Sequence, residues 1–156
     1  MTELQRIQTL QTDALAPLLA ASTGEGFRFV ERLAREWQEG EARFDRPGEL
    51  LLAAYHGATM VAIGGLTADP YSDEPALGRL RHLYVRPDAR RRGIGRQLVQ
   101  ALELAAQQTY RALVLRTDTQ AAARFYETLG YTPLAAGGTA THRRELAIRA
   151  LSSEAS

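Results

Sequence analysis

The sequence predicts an α/β protein built on a mixed sheet with helices on both faces, in the element order β-α-α-β-β-β-α-β-α-β-β. Three observations carry that expectation. Residues 76–85 read as a strand, 93–108 as a helix and 112–116 as an unbroken apolar strand. Strand, helix and strand at this spacing form a right-handed crossover unit with parallel strands. Residues 49–68 (ELLLAAYHGATMVAIGGLTA) read as two strands around a His56-Gly57 turn, a hairpin with one buried face. Finally, 156 residues suit one buried core, so 1–150 is expected as a single domain and 151–156 as a C-terminal tail.

Taken in order, residues 3–10 (ELQRIQTL) read as a first strand and 12–21 as a first helix. In a second helix over 25–39, Phe27, Val30, Leu33 and Trp37 recur at helical spacing and Gly40 stops it. Residues 68–75 (ADPYSDEP) are turn-rich, and 86–92 read as a loop after the fourth strand. The third helix carries Ile94, Leu98, Leu102 and Ala105 on one face. The strand 112–116 is apolar throughout, as in a strand covered on both faces. A last helix over 120–129 ends at Gly130, suited to a left-handed cap. Residues 131–134 and 141–148 close the chain as strands around the small-residue loop 135–139.

Composition excludes several classes of function. Hydrophobic residues make up 45% and charged residues 24%, values that argue against disorder. A net charge of +1 argues against a general nucleic-acid or membrane surface. No apolar run approaches the roughly 20 residues that span a bilayer, and MTELQRIQTL lacks a signal-peptide core. The expectation is a cytoplasmic protein with neither nucleic acid nor membrane as partner. The absence of cysteine rules out disulfides, thiolate metal sites and a cysteine acyl-enzyme. Three histidines without ligand spacing suggest no metal. All 19 basic residues are arginine, and asparagine is missing too, so a missing Asn within a motif says little. Seven arginines fall between Arg79 and Arg96 against one acid, Asp88, which marks a local basic site.

That site is Arg90-Arg91-Arg92-Gly93-Ile94-Gly95, followed by Arg96, at a strand-to-helix junction. A helix start offers unpaired N–H groups and the positive end of its dipole. Two glycines let backbone approach an anion closely, and rim arginines add charge-assisted hydrogen bonds. The junction suits a pyrophosphate. It is not a P-loop, since no GK[ST] is present, and GxGxxG is not completed after Gly95.

In its wider setting, LYVRPDARRRGIGRQLVQALE resembles the coenzyme A motif of the GNAT superfamily of N-acetyltransferases. That motif reads L-x-V-x-P, a short spacer, then R/Q-x-x-G-x-G/A at the helix start, here Leu83, Val85, Pro87, Arg90, Gly93 and Gly95. A second stretch, AAARFYETLGY, is similar to the family's A-x-x-F/L-Y-E-x-L-G-F/Y signature through Ala122, Phe125, Tyr126, Glu127, Leu129, Gly130 and Tyr131. The resemblance covers residues 50–134, and the first two helices by topology only. It implies a mostly antiparallel sheet of about seven strands whose parallel fourth and fifth strands splay apart. It implies acetyl-CoA as co-substrate, a small-molecule amine as acceptor, and the pantetheine arm paired to backbone of Leu83, Tyr84 and Val85. Arg90, Arg91, Arg92, Gly93, Ile94, Gly95 and Arg96 are then the candidate phosphate residues, with Thr119, Ala122 and Phe125 also at the cofactor. Many relatives are homodimers, and only the resemblance bears on that point here.

Two positions depart from the family pattern. Thr119 stands where many relatives have asparagine, and Arg79 where many have the glutamate that serves as general base. Tyr126 is the candidate acid for the departing thiolate, since a phenol pKa of about 10 lies near that of an alkyl thiol. His82 is the candidate base; strand alternation puts it on one face with Leu80 and Tyr84 unless a bulge intervenes. His142 is a weaker candidate for the acceptor pocket, and His56 reads as a solvated turn residue. Arg79 and Arg81, if they face the acceptor, favour one bearing a carboxylate or phosphate. The resemblance implies that the first two helices wall the acceptor site, and Glu25, Arg28, Glu31 and Arg32 on them otherwise read as a solvated face. Two alternatives stay open at this point: a non-catalytic acyl-CoA sensor, and an acetyltransferase acting on a protein or peptide amine.

Overall fold

The structure is a computed structural model and describes residues 2–146. The ends of two expected features, the last strand beyond 146 and the tail 151–156, lie outside the described residues. Seven strands form one sheet: β1 (Thr2–Arg6), β2 (Leu50–His56), β3 (Thr59–Ala68), β4 (Leu77–Val85), β5 (Ala112–Leu115), β6 (Thr132–Pro133) and β7 (His142–Glu145). Their spatial order is β1-β2-β3-β4-β5-β7-β6. Every pairing is antiparallel except β4 with β5. The helices are α1 (Thr12–Gly24), α2 (Phe29–Gln38), α3 (Ile94–Ala106) and α4 (Gln120–Thr128). A single 3-10 turn, Pro87–Ala89, lies within the expected loop after β4.

The two sheet faces bury separate apolar clusters, because strands alternate their side chains. On one face α1 and α2 contribute Leu15, Leu18, Val30, Leu33 and Trp37, which pack with Leu51, Ile63 and Tyr84. On the other, α3 contributes Ile94, Leu98, Leu102 and Ala106, joined by Tyr126 of α4 and by Leu80, Leu113 and Leu115. Helices on both faces are thus as the sequence predicts.

Boundaries of both helices and strands differ from expectation, β6 being reduced to Thr132–Pro133 from the expected 131–134. α1 runs to Gly24 rather than 21, and α2 begins only at Phe29 rather than 25. Residues 25–28 are therefore connection, with Gly26 at φ +88 closing the end of α1. β1 is shorter than expected, ending at Arg6. Ile7 still donates to the Leu51 carbonyl at 2.8 Å, and both Ile7 and Leu10 are buried beneath the helices.

β4 carries the irregularity that matters most. Ile63 pairs with Tyr84 and Gly65 with Arg81, so two β4 residues, His82 and Leu83, oppose the single Gly64. This is a β-bulge, with His82 at φ +61. Leu80, Leu83 and Val85 pack on the α3 side, whereas Arg81, His82 and Tyr84 all reach the α1–α2 side. The bulge thus corrects strict alternation: His82 shares a face with Tyr84 and not with Leu80.

Candidate active site

The parallel pairing of β4 with β5 spans only Leu77–Ala112, Gly78–Leu113 and Arg79–Val114. β4 continues six residues further to Val85, while the end of β5 pairs with His142 of β7. Among the described residues, β4 from Leu80 onward is thus partnered by β3 alone. The strands part in the middle of the sheet, and backbone groups of Leu83, Tyr84 and Val85 lie along the gap.

At the mouth of this gap the chain turns into α3. Gly93 is the N-cap at φ +78, and a Cβ there would meet nothing within 4 Å, so the position opens outward. Only glycine holds that backbone without strain. Arg91 also sits at positive φ, +66. Left-handed residues just before a helix start are the backbone pattern in which N–H groups can converge as a cradle for an anion. Arg91, Arg92 and Arg96 are exposed around it. A Cβ on Gly95 would lie 3.2 Å from Phe125 and 3.5 Å from Val85. Three residues read separately from the sequence, at the end of β4, the start of α3 and the middle of α4, therefore meet here. Ile94 is buried beneath them as an anchor of the helix.

Arg90 behaves differently from its neighbours. Its Nε donates to the Val85 carbonyl at 2.9 Å, and its two terminal nitrogens donate to both oxygens of Glu25 at 3.0 and 2.6 Å. It also stacks over the Tyr84 ring at 5.5 Å. The side chain faces the α1–α2 connection rather than the cradle. Tyr84, whose backbone lines the gap, donates its hydroxyl to Glu25.

Tyr126 lies in the same apolar cluster as Leu83 and Val85. Its ring is edge-on to Phe125 at 5.0 Å and to Tyr131 at 5.5 Å. Burial alone pushes its phenol pKa up from the ordinary value, so it keeps its proton at physiological pH. Thr119 caps α4, its hydroxyl accepting from the Ala122 amide at 3.1 Å. An Asp, Asn, Ser or Thr can do this work, which accounts for Thr119 at a position where relatives carry asparagine. Ala122 follows on the half-buried side of the first turn.

The candidate base reads otherwise in three dimensions. His82 Nδ1 donates to the Phe29 carbonyl at 3.0 Å, and Nε2 is buried without a partner among the described residues. Burial, reinforced by the charge of Arg81, pushes its pKa from 6.5 down to about 3. An uncharged imidazole with so little proton affinity is a poor base at neutral pH. The ring instead ties the bulge of β4 to the start of α2.

That depression has a measurable consequence. The unfolded chain takes up a proton below 6.5 that the fold refuses, so stability is complete above that pH and falls as pH drops towards 3. The slope approaches about 1.4 kcal/mol per pH unit. A His82→Gln variant is expected to lose that component, which denaturant unfolding at a series of pH values measures. Identical slopes in the two proteins would mean that the ring is not held neutral.

Arg79, at the position where relatives carry glutamate, is equally committed. It pairs with Asp69 at 3.1 Å, donates to the Thr139 carbonyl and lies 4.8 Å from the Tyr71 ring centre. Both charged side chains are nearly inaccessible, at 7% and 4% exposure. Such a pair is costly to break from one side, and Arg79 joins the β3–β4 loop to the loop before β7. Among the described residues, the Arg81 guanidinium reaches only Glu36, at 3.5 Å. His142 turns to the α4 side, where Nε2 meets Glu127 at 2.9 Å and Nδ1 meets the Thr141 hydroxyl at 2.9 Å. It is a tie between β7 and α4, and it lies away from the face that bears Arg81 and His82. The residue that sequence reasoning passed over is Glu25, read as one of a solvated set.

Comparison with known proteins places this arrangement. Residues 47–133 match the acetyltransferase (GNAT) domain family. A protein from Exiguobacterium sp. 255-15, assigned as an acetyltransferase, is 34% identical over 93% of both chains, with a TM-score of 0.81. At lower identity the fold alone is shared. A GNAT-family protein of Desulfovibrio desulfuricans is 21% identical over 94% of this chain and 100% of its own, with a TM-score of 0.71. An acetyltransferase of Thermus thermophilus is 21% identical over 92% of this chain and 97% of its own, with a TM-score of 0.69. No curated protein matches the chain. Among the described residues no helix is long and apolar enough to cross a membrane. A family match over more than half the chain, and a similar structure along nearly all of it, agree with a split parallel pair beside a glycine-capped helix: the protein is an acetyltransferase of the GNAT family.

Proposed function

We propose that the protein moves an acetyl group from acetyl-CoA to a primary amine of a small acceptor, by direct attack when both substrates are bound. The observation that carries this reading is the parting of β4 from β5 after Arg79, beside the left-handed Gly93. The gap offers backbone pairing to an extended amide-bearing arm, and the cradle offers N–H groups to its pyrophosphate. Arg91, Arg92 and Arg96 supply charge at the rim, whereas Arg90 supplies structure.

When bound, acetyl-CoA contributes an acetyl group activated as a thioester. The chain's residues then act on the reacting atoms. Amide N–H groups of β4 near Leu83 donate to the carbonyl oxygen as negative charge gathers there. The amine nitrogen forms its bond to the carbonyl carbon, the carbon–sulfur bond breaks, and Tyr126 gives its proton to the sulfur. The amine's surplus proton passes to solvent and Tyr126 is reprotonated from it. With Arg79 and His82 both committed, the reactive acceptor is the fraction already present as free amine. Among the described residues the Arg81 guanidinium contacts Glu36 alone, and its further donors favour an acceptor that also bears a carboxylate.

Calorimetry with acetyl-CoA, CoA and dephospho-CoA, followed by thiol release over a panel of amines, tests the proposal. The expected outcome is micromolar binding that weakens on loss of the 3′-phosphate, and turnover with at least one small amine. Absence of binding would remove the reading altogether.

A further inference from the structure

Glu25 lies outside every motif, yet it is the most heavily bonded carboxylate near the gap. It accepts from the Tyr84 hydroxyl and from both terminal nitrogens of Arg90, and the Arg90 and Tyr84 bonds hold its own pKa below the ordinary range. Arg90 is fixed a third time by the Val85 carbonyl at 2.9 Å. Tyr84 is in turn enclosed by Phe27 and Phe29, with ring centres 6.4 and 5.9 Å away. Three segments therefore converge on one carboxylate: the end of β4, the loop leading to the cradle, and the connection of α1 to α2. The backbone amides of Glu25, Gly26 and Phe27 bond to carbonyls at the end of α1, while the side chains stay open to solvent, Glu25, Gly26 and Arg28 being exposed and Phe27 half-buried.

We propose that Glu25 is a positioning residue for the acceptor wall, tied through Arg90 to the loop that receives acetyl-CoA. Ligand contacts at residues 91–95 immobilise that loop. Arg90 shares its backbone, so its guanidinium becomes a fixed point, and Glu25 inherits that order across the bidentate contact. Phe27 and Phe29 follow, because they pack on the Tyr84 that also bonds Glu25. A filled cradle thus adds order to the connection between α1 and α2 through contacts that are already formed. Coupling of this kind is reciprocal, so an acceptor seated on the wall strengthens cofactor binding by the same factor.

The inference rests on the reading of residues 91–95 as the cofactor loop, and its test separates the two. Calorimetry with acetyl-CoA is combined with hydrogen–deuterium exchange of the peptide covering residues 22–30, with and without acetyl-CoA. In the wild-type protein, exchange there is expected to slow at least threefold on saturation. In Glu25→Gln, whose thermal midpoint is checked first, acetyl-CoA is expected to bind within threefold of the wild-type affinity yet leave exchange of 22–30 unchanged. Arg90→Gln, which cuts the same tie from the other side, should behave alike and so serves if Glu25→Gln fails to fold. Binding without added protection in the wild type overturns the tie while leaving the cofactor site standing. Protection that persists in either variant overturns it too, as does a loss of affinity beyond tenfold in Arg90→Gln, which would place that arginine on the phosphates. If acetyl-CoA does not bind the wild type at all, the functional reading itself has failed.

Discussion

Replacing Gly93 by glutamate is expected to weaken acetyl-CoA binding by about a thousandfold while the fold persists. Two costs combine. Gly93 holds φ +78 at the N-cap of α3, and an L-residue forced into that region pays about 1–2 kcal/mol. The new carboxylate also points into the space that Gly93 leaves open, where a diphosphate would sit, and like charges at contact distance repel. Each 1.4 kcal/mol is tenfold in affinity, so about 4 kcal/mol in total gives the stated loss. Gly93→Ala isolates the backbone share and should cost about thirtyfold at most. Calorimetry on the two variants makes the comparison, and wild-type affinity in Gly93→Glu would show that the cradle is not a phosphate site.

Tyr126→Phe is expected to lower kcat by about 10² to 10³, the range of a positioned general acid, with acetyl-CoA affinity within about threefold. The ring contacts with Phe125 and Tyr131 survive the change. The lost hydroxyl is buried, and desolvation is the sole cause of its raised pKa. Removing a hydroxyl that has no partner among the described residues should leave the thermal midpoint unchanged or higher. Steady-state thiol release beside calorimetry separates chemistry from binding. Undiminished turnover would take the proton-donor role away from Tyr126.

The parts of this molecule legible in its sequence are those set by local pattern. The hairpin at His56-Gly57, the apolar β5 and the glycine-bounded start of α3 lie where periodicity and turn chemistry put them. The meeting of Gly95, Val85 and Phe125 follows from motif positions that sequence reading also picked out. What escaped depends on contacts between distant segments. A left-handed histidine has no local signature, so the bulge at His82 emerges only when β3 and β4 pair with Gly64 opposite. Arg90 looks like one more basic residue of the cradle until Glu25 arrives from 65 residues away. Arg79 reads as a missing base, whereas its partners at Asp69 and Thr139 make it a fastening between loops. In each case side-chain chemistry was readable and its direction was not.

The split between β4 and β5 acts as a sieve on the cross-section of whatever enters. An unpaired strand edge at the border of a sheet invites any passing chain to pair with it. Here the open edge lies in the interior, with α3 and the Tyr126 cluster against one face. A second polypeptide strand could satisfy the backbone groups only by projecting alternate side chains into that packed face and out of the other. A slender arm of amides and methylenes, with no branches, meets the same hydrogen-bonding groups without that obstruction. Under the proposed function, the fold keeps an adhesive edge available to the cofactor's slender arm while hindering a second polypeptide strand from pairing there.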